Sequence, residues 1–231
     1  MTSICPCTSV TWCPIALKVE RAYLLQTNRT TVKWRHAFKN KERKAIVEKG
    51  QTKKLYRTVM ADPPWDIEQG GARGAINHYN LMKLEHIKAM PIADLVDKNA
   101  HCWLWVTNAA LKHGYDVLEA WGFTPRSVFC WIKPRLGLGN YLRNASEHVL
   151  FGSRGKAPVL YHSQPNWMFA PVQDHSHKPE EQYAIIERVS PGPYLELFAR
   201  RHQSGWDAWG NEIDSDIVLP GYPVPQYRKE G

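Results

Sequence analysis

Thr58-Val59-Met60-Ala61-Asp62-Pro63-Pro64-Trp65 is the stretch on which the fold and the chemistry of this chain turn. Up to Ala61 it is a short apolar run that reads as the end of a buried strand. Each of the two prolines then removes a backbone donor and fixes φ, and each pushes the residue before it into an extended conformation. The turn is therefore stiff, and Asp62 and Trp65 are carried on one rigid hook. Ligands of open α/β sheets bind just outside the C-terminal ends of strands. A carboxylate that accepts N–H bonds, a Pro63 carbonyl without competing local pairing and a flat aromatic suit a planar base bearing an amine. A bare Asp-Pro-Pro could be an ordinary turn, but Trp in fourth place directly after a hydrophobic strand favours the hook.

Working outward, Tyr56 to Ala61 is the first core strand. Residues 33–49 are helical in pattern, with Gly50 as the stop. Ile67 to Asn80 carries Gly70, Gly71 and Gly74 and reads as a lid loop. Lys83 to Met90 and Ile92 to Val96 place apolar residues at helical spacing. Cys102 to Val106 is a continuous apolar run, hence a buried parallel strand. Leu111 to Trp121 is a helix, Ser127 to Ile132 a strand closed by Lys133-Pro134, and Glu147 to Gly152 a further strand. Arg154 to Asp174 reads as a loop insertion. Pro179 to Val189 is a helix with Pro in its first turn and Glu180 and Glu181 at its positive end. Tyr194 to Ala199 is the next strand, and Trp206 to Gly210 leads into a last short one. Strands alternating with helices predict an α/β domain: a mostly parallel sheet with helices on both faces. No strand is followed by G-x-G-x-x-G, and no G-x-x-x-x-G-K-[ST] occurs, which argues against a nicotinamide enzyme and a P-loop ATPase.

With 231 residues, 43% of them hydrophobic, the chain is long enough for one complete α/β domain and little more. No run approaches the roughly 20 apolar residues of a membrane span, so a soluble chain is expected. Cys102 and Cys130 sit in strand-like apolar runs and read as reduced core residues, which fits a cytoplasmic, reducing compartment. Cys5-Pro6-Cys7 lacks a second pair, and His175 and His177 lack a third ligand, so no metal is expected. The net charge of +8 is unevenly placed: residues 18–57 carry +10 and the rest −2. The block is an electrostatic footprint for phosphates, or else a solvated polar arm. Trp34, His36 and Phe38 interleave with its charges and could stack on unpaired bases. The expected organisation is a basic N-terminal arm over 1–54, a catalytic domain over 55–213 and a proline-rich tail over 214–231.

Val59 to Ile67, with the hook at its centre, resembles the start of the catalytic domain of the MT-A70 family of S-adenosylmethionine-dependent methyltransferases acting on adenine N6. Downstream stretches match in the family's order: Trp103 to Thr107, Val128 to Lys133, Glu147 to Leu150, His177-Lys178-Pro179-Glu180-Glu181, Ser190 to Arg200, and Gly205-Trp206 with Trp209 to Glu212. The match covers about residues 56–213. It implies a Rossmann-like class I methyltransferase fold with a circularly permuted motif order, hook before cofactor strand. One departure stands out: family members acting on RNA often carry an acid just upstream of the hook strand, and Gly50 to Leu55 has none.

The resemblance also implies roles. Asp62 and the Pro63 carbonyl would each accept an N6–H of the target adenine, with Pro64 stiffening the hook and Trp65 stacking on the base. Tyr79 would cover the base. Asp62 would border the cofactor as well as the base, and Lys178 would pair with the methionine carboxylate of S-adenosylmethionine, with His202 assisting. Arg200 and Asn211 would bond the ribose hydroxyls, with Glu212 nearby, and Phe198 would line the pocket. Glu196 either contacts the cofactor or satisfies a backbone group. Lys133, Arg135, Arg143 and Arg154, on loops leaving the sheet, are candidates for phosphate contact, and Trp103, Trp105, Trp121 and Trp131 read as core. Three functions follow: adenine-N6 methylation of DNA, which the short chain favours; the same chemistry on RNA; or a catalytically silent partner subunit, against which the intact hook argues. The sequence leaves open whether the chain acts alone or as a homodimer.

Overall fold

A computed structural model describes residues 54–66, 81–137, 139, 141–173, 177–219 and 221–222. The helix expected over 33–49, the lid over 67–80 with Tyr79, and His175 lie outside the described residues. The strands are β1 (Tyr56–Ala61), β2 (Val96–Val106), β3 (Thr124–Ile132), β4 (Ser146–Arg154), β5 (Trp167–Phe169), β6 (Tyr194–Leu197) and β7 (Trp206–Trp209). Among the described residues the helices are α1 (Leu84–Ala89), α2 (Leu111–Ala120) and α3 (Glu181–Val189), with a 3₁₀ turn at Ile92–Asp94. All seven strands form one sheet in the order β5-β3-β4-β2-β1-β6-β7.

β1 lies inside this sheet, parallel to β2 on one side and to β6 on the other. Alternation along the strands sorts side chains to two faces. Val59, Ala61, Cys102, Leu104 and Val106 join Ile87, Val117 and Leu118 under α1 and α2. Met60, Trp103, Trp105, Phe129 and Trp131 join Tyr183, Ile185 and Ile186 under α3. Both faces are covered, which is why these strands read as nearly unbroken apolar runs. The four tryptophans expected to be core are all buried. Helix α2 packs close to the sheet at Gly114: a Cβ there would lie 2.6 Å from Val106 Cγ1 and 2.8 Å from Leu150 Cδ1. Among the described residues, no helix is long and apolar enough to cross a membrane.

The α/β sheet with helices on both faces is the expected one, with corrections in detail. Parallel pairs predominate, but β4 runs antiparallel to both β2 and β3. A loop, not a helix, joins β3 to β4, so the chain turns straight back and pairs in the reverse sense. β2 begins at Val96, well before Cys102; Asp97, Lys98 and Asn99 hide its polar start from a hydrophobicity reading. The helical spacing over Ile92 to Val96 resolves into the 3₁₀ turn and the first residue of β2. The supposed loop insertion after Arg154 contains β5, which adds to the sheet edge parallel to β3. Beyond Asp214 the chain returns to the body. Asp216 N donates to the Ala208 carbonyl at 2.9 Å, Leu219 is buried in the core, and the Tyr222 hydroxyl donates to the His86 carbonyl at 3.1 Å.

Candidate active site

The hook stands at the C-terminal end of β1, where Asp62 N donates to the Leu197 carbonyl at 3.4 Å and so ties it to β6. Its carbonyls are occupied locally. Trp65 N donates to the Pro63 carbonyl at 2.9 Å and Met82 N to the Pro64 carbonyl at 2.8 Å. The Pro63 carbonyl was expected to be without such pairing; the tight turn brings the Trp65 amide back onto it, leaving one of its two lone pairs. Trp65 is half-buried, and its indole N–H donates to the Trp105 carbonyl at 3.1 Å, which locks the ring to β2.

Lys178 precedes α3 and reaches back across the sheet end. Its Nζ lies 2.6 Å from Asp62 Oδ2 and 3.5 Å from Glu147 Oε2, and 5.1 Å over the Trp105 ring. Its side chain keeps 15% of its exposure, against 38% for Asp62, so it is no solvated helix-start lysine. Glu147, the second residue of β4, also pairs with Lys133, whose ammonium lies 4.5 Å over the Trp131 ring. A row of alternating charges, Asp62–Lys178–Glu147–Lys133, thus crosses four elements at one end of the sheet. Lys133 is engaged in this row, which competes with the phosphate contact expected of it. Burial works against the Lys178 ammonium, but Asp62 and Glu147 outweigh it and hold its pKa above the usual range. Burial likewise works against the Glu147 carboxylate, but Lys178 and Lys133 prevail and keep it below the usual range. Asp62 goes the other way: burial, helped by Glu147, pushes its carboxyl up further than Lys178 pulls it back.

Beside this row lies a cavity of about 230 Å³. Of the residues expected to hold a cofactor, Asp62, Lys178, Glu196, Phe198, Arg200 and Glu212 line it. His202 and Asn211 lie outside the lining; His202 sits 3.6 Å from Asp216 instead. Phe198 has φ of 64°, a left-handed backbone that costs a bulky residue about 1–2 kcal/mol, and its ring packs edge-on to Trp209 at 5.4 Å. Arg200 Nε donates to Glu212 at 2.8 Å. Glu196 Oε2 accepts from the Tyr183 hydroxyl at 2.9 Å. Burial pushes the Glu196 carboxyl up to about 7, with Asp62 adding and Tyr183 and Arg201 opposing.

Glu147, Gln182, Tyr183 and Arg201 were missed in the sequence as site residues. Gln182 accepts from the Trp105 indole N–H at 2.9 Å, and Arg201 pairs with Glu180. For Glu147 no local signal existed: it stands at the hook's end of the sheet only because β4 runs antiparallel to its neighbours. Tyr183 reads as one more apolar position of its helix. On the substrate side, Arg135 and Arg143 are exposed, whereas Arg154 donates to the Ala93 carbonyl at 3.0 Å, a structural tie.

The MT-A70 family model matches residues 56–212, from β1 to just past β7. An N(6)-adenosine-methyltransferase MT-A70-like protein of Drosophila melanogaster is 34% identical over 75% of this chain and 29% of its own length. The N(6)-adenosine-methyltransferase catalytic subunit METTL3 of Homo sapiens is 31% identical over 75% of this chain and 31% of its own. The chain thus spans about a third of the length of these relatives. The type II methyltransferase M.MunI of Mycoplasma sp is 28% identical over 73% of this chain and 82% of its own length. The hook, the cavity beside it and a match running the length of the sheet agree: the chain belongs to the MT-A70 family, whose methyltransferases use S-adenosylmethionine.

Proposed function

We propose that the chain transfers a methyl group from S-adenosylmethionine to the N6 amine of adenine in DNA. The observation that carries the chemistry is Asp62 on its rigid hook, at the mouth of the cavity and paired with Lys178. The donor set of the cavity fits the cofactor. Asp62 and Glu196 offer carboxylates to its ammonium and sulfonium, Lys178 and Arg201 offer cations to its carboxylate, and the Arg200–Glu212 pair suits two ribose hydroxyls. When bound, the cofactor supplies an electrophilic methyl group.

The exocyclic amine of adenine is a poor nucleophile because its lone pair is delocalised into the ring. Asp62 and the remaining lone pair of the Pro63 carbonyl each accept one N6–H, which draws electron density onto nitrogen as the bond forms. Lys178 occupies Asp62 Oδ2, so Oδ1 is the oxygen that meets the amine. The raised pKa of Asp62 suits it to take the proton that N6 sheds. Trp65, locked by its indole N–H, offers a fixed face to a base extruded from the duplex, and positioning supplies the rest of the acceleration.

The extent of the likeness to the type II methyltransferase, 82% of that protein's length, supports DNA. The higher identity to the adenosine methyltransferases favours RNA as the second reading. Labelled S-adenosylmethionine is incubated with unmodified genomic DNA and with RNA, and the nucleoside is identified by mass and its sequence position mapped. N6-methyladenine in DNA is expected, and none with Asp62→Ala. Label in RNA alone overturns the DNA reading; label in neither overturns the function.

A further inference from the structure

The loop joining β3 to β4, residues 133–145, carries features that the cofactor cavity does not use. β3 points the same way as β1 and β2, so the loop leaves the sheet at the end that bears the hook. Its sequence holds three cations, Lys133, Arg135 and Arg143, and no carboxylate. Its two arms are braced. Lys133 N donates to the Ala145 carbonyl at 2.8 Å and Gly137 N to the Asn144 carbonyl at 2.6 Å. Asn108 Nδ2, just past β2, donates to Asn144 Oδ1 at 2.8 Å. The tip is tightly folded: a Cβ on Gly139 would fall 1.9 Å from the Leu142 carbonyl oxygen.

On this braced tip Tyr141 is 100% exposed and Leu142 83% exposed. Arg143 is held beside them by a 2.6 Å bond from its Nε to the Gly137 carbonyl, and Arg135 is exposed on the opposite arm. A single exposed apolar side chain needs no explanation. A tyrosine and a leucine side by side on this loop, flanked by arginines and free of carboxylates, form an apolar point in a cationic collar. Proteins that kink duplex DNA insert apolar side chains as wedges between base steps, and arginines bind the flanking phosphates. A target adenine inside a duplex must leave the stack to reach Asp62 at the mouth of the cavity.

We propose that Tyr141 and Leu142 form a wedge that enters duplex DNA and fills the space vacated by the extruded adenine, while Arg135 and Arg143 hold the adjoining phosphates. The inference rests on the DNA reading above. Its test uses the full chain, a Tyr141→Ala/Leu142→Ser variant and two duplexes carrying the mapped sequence. In one the target adenine is paired with thymine; in the other it faces an abasic site and is already unpaired. The variant is expected to lose about tenfold or more in kcat/KM on the paired duplex and to stay within about twofold of wild type on the abasic one, because the wedge is needed only where unpairing costs energy. Its melting temperature and cofactor affinity stay unchanged, since the tip packs against neither core nor cavity. An equal loss on both duplexes, or no loss on either, overturns the wedge. So does a wild-type dimer that the variant dissolves, which makes the tip a contact between copies. Wild-type protein that methylates neither duplex overturns the DNA reading itself, and the wedge with it.

Discussion

Replacing Glu196 by Gln tests the electrostatics of the cavity without disturbing its shape. Burial lifts this carboxyl from an ordinary 4.5 to about 7, so the folded protein binds the proton more tightly than the unfolded chain does. The stabilisation this brings is fully present below the unfolded pKa and is lost as pH rises through the folded one. At about 1.4 kcal/mol for each pKa unit, the whole effect has a ceiling of about 3 kcal/mol. About 2 kcal/mol of it falls between pH 5.5 and 8.5. Urea unfolding of wild type and Glu196→Gln at those two pH values isolates the effect, because other titrating groups are common to both proteins. The stability difference should move in the variant's favour by up to about 2 kcal/mol from the lower pH to the higher. A difference that stays constant, or moves the other way, would refute a neutral, buried Glu196 at acid pH.

Lys178→Ala should weaken S-adenosylmethionine binding about tenfold to a hundredfold, the worth of a charge-assisted bond of about 1.5–3 kcal/mol; calorimetry showing unchanged affinity would remove Lys178 from the cofactor. Trp65→Phe keeps an aromatic face but loses the indole N–H bond to the Trp105 carbonyl, and should destabilise the fold by at least about 0.5–1.5 kcal/mol, read by urea midpoint, while slowing turnover. Gly114→Ala forces a methyl against Val106 and Leu150 and should cost about 1–3 kcal/mol by overpacking, with chemistry at the distant cavity retained in whatever folds. Removing residues 1–50, which hold much of the +10 block, should flatten the salt dependence of DNA binding by about 0.7–0.9 in log–log slope for each phosphate the arm neutralises; equal slopes would mark the arm as merely solvated.

The sequence by itself determined the hook, most of the strands and helices, their order, and the family. These signals are local. An apolar run buried on both faces, a double proline and a glycine stop act within a few residues of themselves, and the chain cannot hide them. Glu196, Phe198 and Arg200 were named together because the family resemblance spans them; they ride on one strand and its exit, and the structure places all three on the wall of one cavity. The tertiary structure decided what depends on residues far apart in the chain. Nothing near Glu147 announces that it meets Lys178, and nothing near Tyr183 that its hydroxyl meets Glu196. The Pro63 carbonyl looks unpaired until the turn closes on it. β4 is antiparallel, and β5 a strand at all, because of the edges they pair with; a strand's direction belongs to its neighbours as much as to its own residues.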